Sequence, residues 1–441
     1  MHGHGLNVNC VFMFGLLRQI VYVQIHLVHC TIFFEEVDVL TSDERRSARR
    51  ERRELKRAEK RKQNIGKYDN YDNIISMKSL LYAAKLSRKT VSWKASVQRY
   101  FMSLLRNLIE THDKLVKQAP VTMGFISFTI SERGKTRHIR SVHFKERVIQ
   151  RSLCDNALIP VLSRTLIYDN GASVKDKGIH FAFNRLKRHL HEYYLRNKTN
   201  EGWILLIDYH GYFDSIRHDK VMQIVDNAFS DKRIVGLTKQ FVDAFGNKSL
   251  GIGSQVSQIL AITYPNRIDH YFAEVMHVKE FARYNDDCYY ISRDKAELEE
   301  CLRKHREMAN ELGIELNEKK TMIIPLKSFT FMKARVFLTD TGKVIMKPCR
   351  KSITRMRRRL KKLKAMLDNS EIDFKTVHDG YESWRGYINY FDAHKTIREM
   401  DKLFYDIFGV WPMRKRDAKK DEVPINVCLY SRPMGNGYCE L

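Results

Sequence analysis

Glu280-Phe-Ala-Arg-Tyr284-Asn285-Asp286-Asp287-Cys-Tyr-Tyr-Ile291 is the stretch that decides how this chain folds. Apolar residues flank a polar tip, the pattern of two short strands joined by a tight turn, with adjacent carboxylates at the turn. Downstream, Asp294 and Glu297 stand three apart, as in a capping box. Leu298, Cys301, Leu302, His305, Met308, Ala309 and Leu312 then follow at helical spacing, and Gly313 ends the run. Upstream, Trp203 to Ile207 is a short apolar run ending at Asp208, which reads as a buried strand delivering a carboxylate. Between them, Val221, Ile224, Val225 and Ala228 mark one face of a helix over 218–228.

Three aspartates thus stand out, Asp208 at a strand end and Asp286 and Asp287 side by side at a hairpin tip 78 residues later. Carboxylates in proximity repel one another, so a fold that gathers them needs a compensating charge. Magnesium is a hard cation that takes carboxylates together with substrate phosphates. Two such ions, roughly 4 Å apart, can activate an attacking hydroxyl and stabilise a leaving pyrophosphate. An Asp-Asp pair alone is more often a solvated turn, so its surroundings carry the argument.

Moving outward, residues 123–143 read as a second hairpin, with Glu132-Arg133-Gly134-Lys135 as its turn and Thr136 to Val142 as the returning strand. Residues 73–117 are mixed helical, with aromatic and basic residues interleaved. Residues 44–62 hold eleven basic and four acidic side chains, the composition of a charged helix or arm suited to a nucleic-acid backbone. Ile353, Met356, Leu360, Leu363 and Leu367 form an apolar stripe on a helix, and 350–364 carries nine basic residues and no acid. Val11 to Phe34 is apolar but holds Arg18, Gln19, Gln24, His26 and His29, which are costly in lipid. It also lacks a basic leader and a small-residue cleavage site, so we read 1–41 as an N-terminal extension without assigned function.

The net charge of +26 and pI near 9.6 favour a polyanionic partner. The eight cysteines are scattered without C-x-x-C spacing, which argues against a zinc site and a disulfide framework and predicts reduced thiols. No ribonuclease H or endonuclease constellation is legible.

An ordered set of motifs resembles the reverse transcriptases. Asp208-Tyr209-His-Gly-Tyr-Phe213-Asp-Ser-Ile216 resembles their first palm motif, and Gly253-Ser-Gln-Val-Ser257-Gln258 the motif that positions template and incoming nucleotide. Tyr284-Asn-Asp286-Asp287 resembles the Y-x-D-D signature. Leu312-Gly-Ile-Glu-Leu-Asn317-Glu-Lys-Lys320-Thr321 resembles the L-G-x-x-L-N-x-x-K-T motif, and Phe329 to Val336 the primer-grip strand pair. Lys135-Thr-Arg137-His-Ile-Arg140 and Asn170 to Gly178 resemble fingers motifs. The resemblance runs over roughly residues 120–400 and is closest to bacterial enzymes of the retron, group II intron and diversity-generating retroelement lineage, including stand-alone defence-associated ones.

The resemblance implies an α+β right-hand polymerase with fingers, palm and thumb, a split β-α-β palm sheet and a helical thumb. The expected divisions are an extension at 1–41, a basic helical region at 42–118, fingers at 119–200, palm at 201–336, thumb at 337–412 and a tail at 413–441. It implies that Asp208, Asp286 and Asp287 hold two Mg²⁺ ions, with Mn²⁺ as substitute, and that Lys320 protonates or steadies pyrophosphate. Lys135, Arg137 and Arg140 would grip the triphosphate, and Arg137 is the best placed of them. Phe213 would be the steric gate against a 2′-hydroxyl. Tyr209, Gly253, Ser257, Gln258 and Tyr284 would complete the nucleotide and template contacts. The implied reaction is RNA-templated addition of dNTPs to a DNA primer 3′-hydroxyl, with a dedicated non-coding RNA as partner, no membrane, and a cytoplasmic location in a bacterial or phage setting.

Three departures stand out. Ile252-Gly253 and Ser257-Gln258 replace the commoner Gln-Gly and Ser-Pro, as in diversity-generating retroelement enzymes, which go with relaxed fidelity. Asn285 replaces a small or apolar residue, and Met332-Lys333 replace Leu-Gly. Two rival readings share the motifs: a template-independent or protein-primed nucleotidyltransferase, and a catalytically silent RNA-binding scaffold. The intact aspartates speak against the second, and Phe213 speaks against RNA synthesis.

Overall fold

The computed structural model describes residues 66–132 and 135–412, with scattered residues between 48 and 63. The readings made for 1–41, for the tail after 412 and for the tip of the first hairpin lie outside the described residues. The chain divides into two units, 1–67 and 68–441. Most of the residues described in the first, from Ala48 to Lys67, are helical.

Helices Tyr71–Ile75, Met77–Arg88, Ala95–Met102 and Leu104–Val116 open the second unit, matching the mixed helical reading. Ala83, Ala84, Tyr100 and Val148 form a small core that joins them to helix Phe144–Leu153. Between lies the first hairpin, β1 (Phe125–Glu132) and β2 (Lys135–Val142), antiparallel throughout.

The central sheet is built from β3 (Trp203–His210), β4 (Phe281–Tyr284), β5 (Asp287–Ser292), β6 (Glu315–Leu316) and β7 (Met322–Pro325). Its order is β4-β5-β3, with β6 and β7 on the far edge of β3 and every neighbour antiparallel. Helices separate β3 from β4, and helix Lys295–Glu311 separates β5 from β6. This is the split β-α-β arrangement expected from the sequence. Strand alternation sorts its side chains. Ile204, Leu206, Tyr289 and Ile291 pack with Phe183, Leu186 and Leu190 of helix Ile179–Asn197. On the other face, Tyr209 and Tyr290 bond to the buried His305 of helix Lys295–Glu311. That helix is capped by Asp294, whose side chain accepts from the Ala296 N–H, but the expected capping box is not closed: the Asp294 N–H donates to Ser292 Oγ at 3.1 Å and not to Glu297.

A second sheet, β8 (Ser328–Phe331), β9 (Ala334–Leu338) and β10 (Val344–Pro348), adjoins the same core. Helices Arg350–Asp368, Phe374–Ile388 and His394–Phe408 follow. The predicted stripe is used: Met356, Leu360 and Leu363 pack on Val377, Tyr381, Met400 and Phe404. Eight of the basic residues in 350–362 face solvent. Cys154, Cys288 and Cys301 are buried free thiols. Among the described residues no helix is long and apolar enough to cross a membrane.

Candidate active site

Antiparallel pairing sets Asp208 at the end of β3 directly opposite Asp287 at the start of β5. Cross-strand partners share a face, so both carboxylates stand on one side of the sheet. β4 and β5 are joined by Asn285 and Asp286 alone, and Asn285 takes φ +55°. That left-handed backbone is one that Asn tolerates better than most residues with a Cβ, which accounts for its presence in the turn. Asp286 is tied into the sheet edge where its carbonyl accepts from the Tyr209 N–H at 3.3 Å.

Asp208 is 7% exposed and clamped from the β6 side. The Asn317 N–H donates to its carbonyl at 2.8 Å, and Asn317 Nδ2 donates to its Oδ2 at 2.9 Å. Lys320 Nζ reaches Oδ1 at 2.5 Å. Lys320, assigned to pyrophosphate by resemblance, thus serves here as the counter-charge of Asp208.

The Asp287 carboxyl is pushed up to about 7 by burial first and then by the negative charges of Asp286 and Asp208, with Lys320 and Lys333 pulling the other way. The donor set fits divalent cations: hard oxygen ligands whose mutual repulsion Lys320 and Lys333 offset only in part. Among the described residues no three His, Cys, Asp or Glu side chains are already arranged around an ion position. Lys320 stands where part of that charge would act.

Beneath the turn lies a residue the sequence reading passed over. Arg283 is fully buried, with Nη2 donating to Asp269 Oδ2 at 2.6 Å and to the Ile262 carbonyl at 2.8 Å. Its Nη1 donates to the carbonyl of Asn285, within that turn, at 3.2 Å. Burial disfavours the guanidinium, but the charge and hydrogen bonds of Asp269 more than restore it. The available signal was a charge inside an apolar strand, which demands a buried partner. The backbone of Arg283 also bonds Asp169 and Gly171, joining the Asn170 to Gly178 segment to the sheet edge. Tyr284 packs half-buried beside Gly171, where an added Cβ would come within 3.4 Å of its ring.

Other assigned residues are distributed unevenly. Arg137 and Arg140 are exposed on β2; the side chain of Lys135 lies outside the described residues. Phe213 is half-buried beside Tyr212, with ring centroids 5.8 Å apart. Tyr209, expected among the nucleotide contacts, turns into the core, its hydroxyl 2.9 Å from His305 Nε2. Alternation requires this: with Asp208 on one face, the next side chain takes the other. Ser257 is buried under the start of helix Gln255–Thr263, and Gln258 is exposed. Gly253, expected to admit a substrate, has φ +126° and lies against β2, where a Cβ would meet the Arg140 carbonyl at 2.7 Å. The close approach it permits is between chain segments: Arg140 N–H donates to the Ile252 carbonyl at 3.2 Å. Met332 and Lys333 both adopt positive φ, forming the two-residue turn between β8 and β9, and Lys333 adds positive charge near Asp287.

Over residues 130–335 the chain matches the sequence model of the family described as Reverse transcriptase (RNA-dependent DNA polymerase). Among solved structures it is similar to telomerase from Candida albicans in complex with a TWJ fragment of telomeric RNA, at 12% identity and TM-score 0.44, covering 68% of this chain and 57% of that one. It is also similar to apo telomerase from Candida tropicalis truncated from its C-terminal domain, at 14% identity and TM-score 0.40, covering 54% and 59%. The chain spans less than two thirds of either neighbour. No curated protein matches it.

Proposed function

We propose, taking residues 130–335 as the reverse transcriptase domain of an RNA-directed DNA polymerase, that this chain extends a DNA primer on an RNA template with dNTPs. The fold is the mixed helix-and-sheet, right-hand polymerase kind, and the enzyme is a nucleotidyltransferase. Reverse transcriptase domains use divalent metal ions, and we assign Mg²⁺ to Asp208, Asp286 and Asp287. Bound there, the ions would supply charge for the attacking 3′-hydroxyl and the departing pyrophosphate. The observation that carries this reading is the pairing of Asp208 with Asp287 beside a turn that holds Asp286.

The chain's own groups supply positioning and charge. Asn317 and Lys320 orient Asp208, and the Arg283–Asp269 pair supports the turn from behind. Arg137 and Arg140, exposed on the hairpin, offer guanidinium groups to a triphosphate. Phe213 offers a ring against a ribonucleotide 2′-hydroxyl. The basic helix Arg350–Asp368 faces the primer–template backbone. The Ile252-Gly253 and Ser257-Gln258 pattern favours a role in a diversity-generating retroelement or an anti-phage defence system, and a dedicated RNA partner goes with either reading.

Primer extension on a primed RNA with Mg²⁺ and dNTPs tests the reading, beside the Asp286→Ala/Asp287→Ala double variant and controls lacking template or primer. Template-dependent DNA made by wild type and absent in the variant is the expected result. Product formed without template would replace it with template-independent nucleotidyl transfer.

A further inference from the structure

The sheet of β8, β9 and β10 has one face in the core. Phe329, Phe331, Val336, Leu338 and Met346 turn inward and pack with residues of β3 and β5. Alternation turns Ser328, Thr330, Arg335, Phe337, Ile345 and Lys347 the other way. The register sets these six in two rows across the strands. Ser328, Phe337 and Ile345 lie side by side in one, and Thr330, Arg335 and Lys347 in the other.

A sheet face left to solvent ordinarily carries polar residues. Here an aromatic ring and a branched aliphatic side chain stand next to each other, both half-buried and neither part of the core on the inner face. Two cations accompany the ring. Arg335 Cζ lies 6.0 Å and Lys347 Nζ 5.9 Å from the Phe337 centroid, within reach of cation–π attraction. Arg335 Nε also donates to the Pro348 carbonyl at 3.4 Å, which ties the guanidinium to the sheet.

The region is strongly basic: residues 327–351 hold seven Lys or Arg and a single acid, Asp340. That carboxylate is engaged elsewhere, accepting from Asn200 Nδ2 at 2.7 Å. Among the described residues Arg335, Lys343 and Lys347 have no acidic partner. A polyanion complements such a face, and the ring selects among polyanions. An unpaired base offers a π-face that stacks on an aromatic side chain, whereas the bases of a duplex are stacked on one another. Ser328 and Thr330 are exposed beside the ring and the guanidinium, and their hydroxyls suit the 2′-hydroxyl of RNA, which both donates and accepts.

We propose that the outer face of β8, β9 and β10 binds a single-stranded segment of RNA, with one base stacked on Phe337 and the adjoining phosphates on Arg335 and Lys347. The face points away from the core shared with β3 and β5, so it would hold RNA outside the duplex being copied. The inference goes beyond the polymerase reading and does not depend on it.

The test uses the full chain without divalent ions. Fluorescence anisotropy would measure affinity for a labelled single-stranded RNA of about ten nucleotides across a salt series, with unlabelled blunt-ended RNA–DNA duplex in excess to fill a polymerase cleft. Phe337→Leu keeps the apolar character and should weaken RNA binding roughly tenfold. Phe337→Trp should bind like wild type, and RNA should quench its added indole beyond any quenching seen in wild type. Lys347→Ala should weaken binding about threefold and flatten the log–log salt slope by about 0.7. DNA of the same sequence should bind less tightly, and Ser328→Ala should narrow that difference. With 4-thiouridine in the RNA, cross-links should fall on the tryptic peptide 336–343.

Phe337→Leu binding RNA like wild type, cross-links confined to other peptides, or equal affinity for DNA would overturn the assignment. An equal loss of affinity for the blunt duplex in Phe337→Leu would also overturn it, by putting the face on the primer–template path. A dimer in sedimentation that Phe337→Leu dissolves, with RNA affinity unchanged, would overturn it in favour of a second copy of the chain. Failure of wild type to extend a primer would remove the polymerase reading and leave the RNA-binding result standing.

Discussion

The Asp208–Asp287 sheet edge and the β1–β2 hairpin belong to one unit, yet they are held in opposite ways. At the sheet edge every approach is braced: Asn317 and Lys320 hold Asp208, and a buried guanidinium holds the Asn285 carbonyl. The hairpin touches the rest lightly, through the Phe125–Phe245 stack at 4.5 Å and the Arg140 contacts with Ile252 and Phe245. Ile126, Phe128 and Ile130, all on one face, remain 50%, 46% and 43% exposed, and Arg137 shares that face opposite Ile130. A centre of repelling carboxylates needs enforced geometry, whereas a strand pair proposed to meet nucleotide and template would leave its contacts to be completed on binding.

Breaking the brace should have the largest effect. Arg283→Leu strands Asp269 as a buried, unpaired acid and is expected to lower unfolding free energy by about 3–5 kcal/mol. Arg283→Met with Asp269→Leu should recover most of that stability in denaturant unfolding while kcat for primer extension stays low. Full recovery of kcat in the double variant would reduce the pair to a packing element.

The hairpin should show the reverse pattern. Arg137→Ala is expected to raise the dNTP KM roughly tenfold, with unfolding free energy changed by no more than about 0.5 kcal/mol. A stability loss as large as that of Arg283→Leu would erase the contrast. Phe213 is half-buried beside Tyr212. Phe213→Ala should raise ribonucleotide incorporation relative to dNTP, read by single-nucleotide extension, and an unchanged ratio would withdraw the gate.

The smallest effect concerns what lies behind the sheet. Burial, and then the charge of Arg283, lowers the His305 imidazole to about 3. Its folded value lies below the ordinary 6.5, so the stability it contributes is complete above that pH and is lost as pH falls toward 3. The Tyr209 and Tyr290 hydroxyls and the Phe272 ring face it, and Arg283 is the nearby charge. His305→Gln keeps a donor and an acceptor without titrating. It should flatten the pH dependence of unfolding free energy in that window by up to about 1.4 kcal/mol per pH unit. An unchanged slope would assign acid sensitivity elsewhere.

Much of this was open to a reader of the chain alone. The hairpin at 281–292, the strand ending in Asp208, the capped helix after Asp294 and the apolar stripe from Ile353 to Leu367 are local patterns of period two or 3.6, and local patterns survive in sequence. The split β-α-β order came from the resemblance of the ordered motifs to a known family. Tyr209 was misassigned although alternation from Asp208 already turned it inward, and Gly253 was given to the substrate when its neighbour is β2.

What the sequence by itself determined is which residues form strands and helices and which carboxylates end them, because propensity, periodicity and capping act over a few residues. Only the tertiary structure decided that Lys320 meets Asp208 across 112 positions and that Asp269 lies under Arg283. Such pairings arise from chain segments brought together by burial of the apolar faces around them, and a buried charge or hydroxyl does not reveal its partner until those faces have closed.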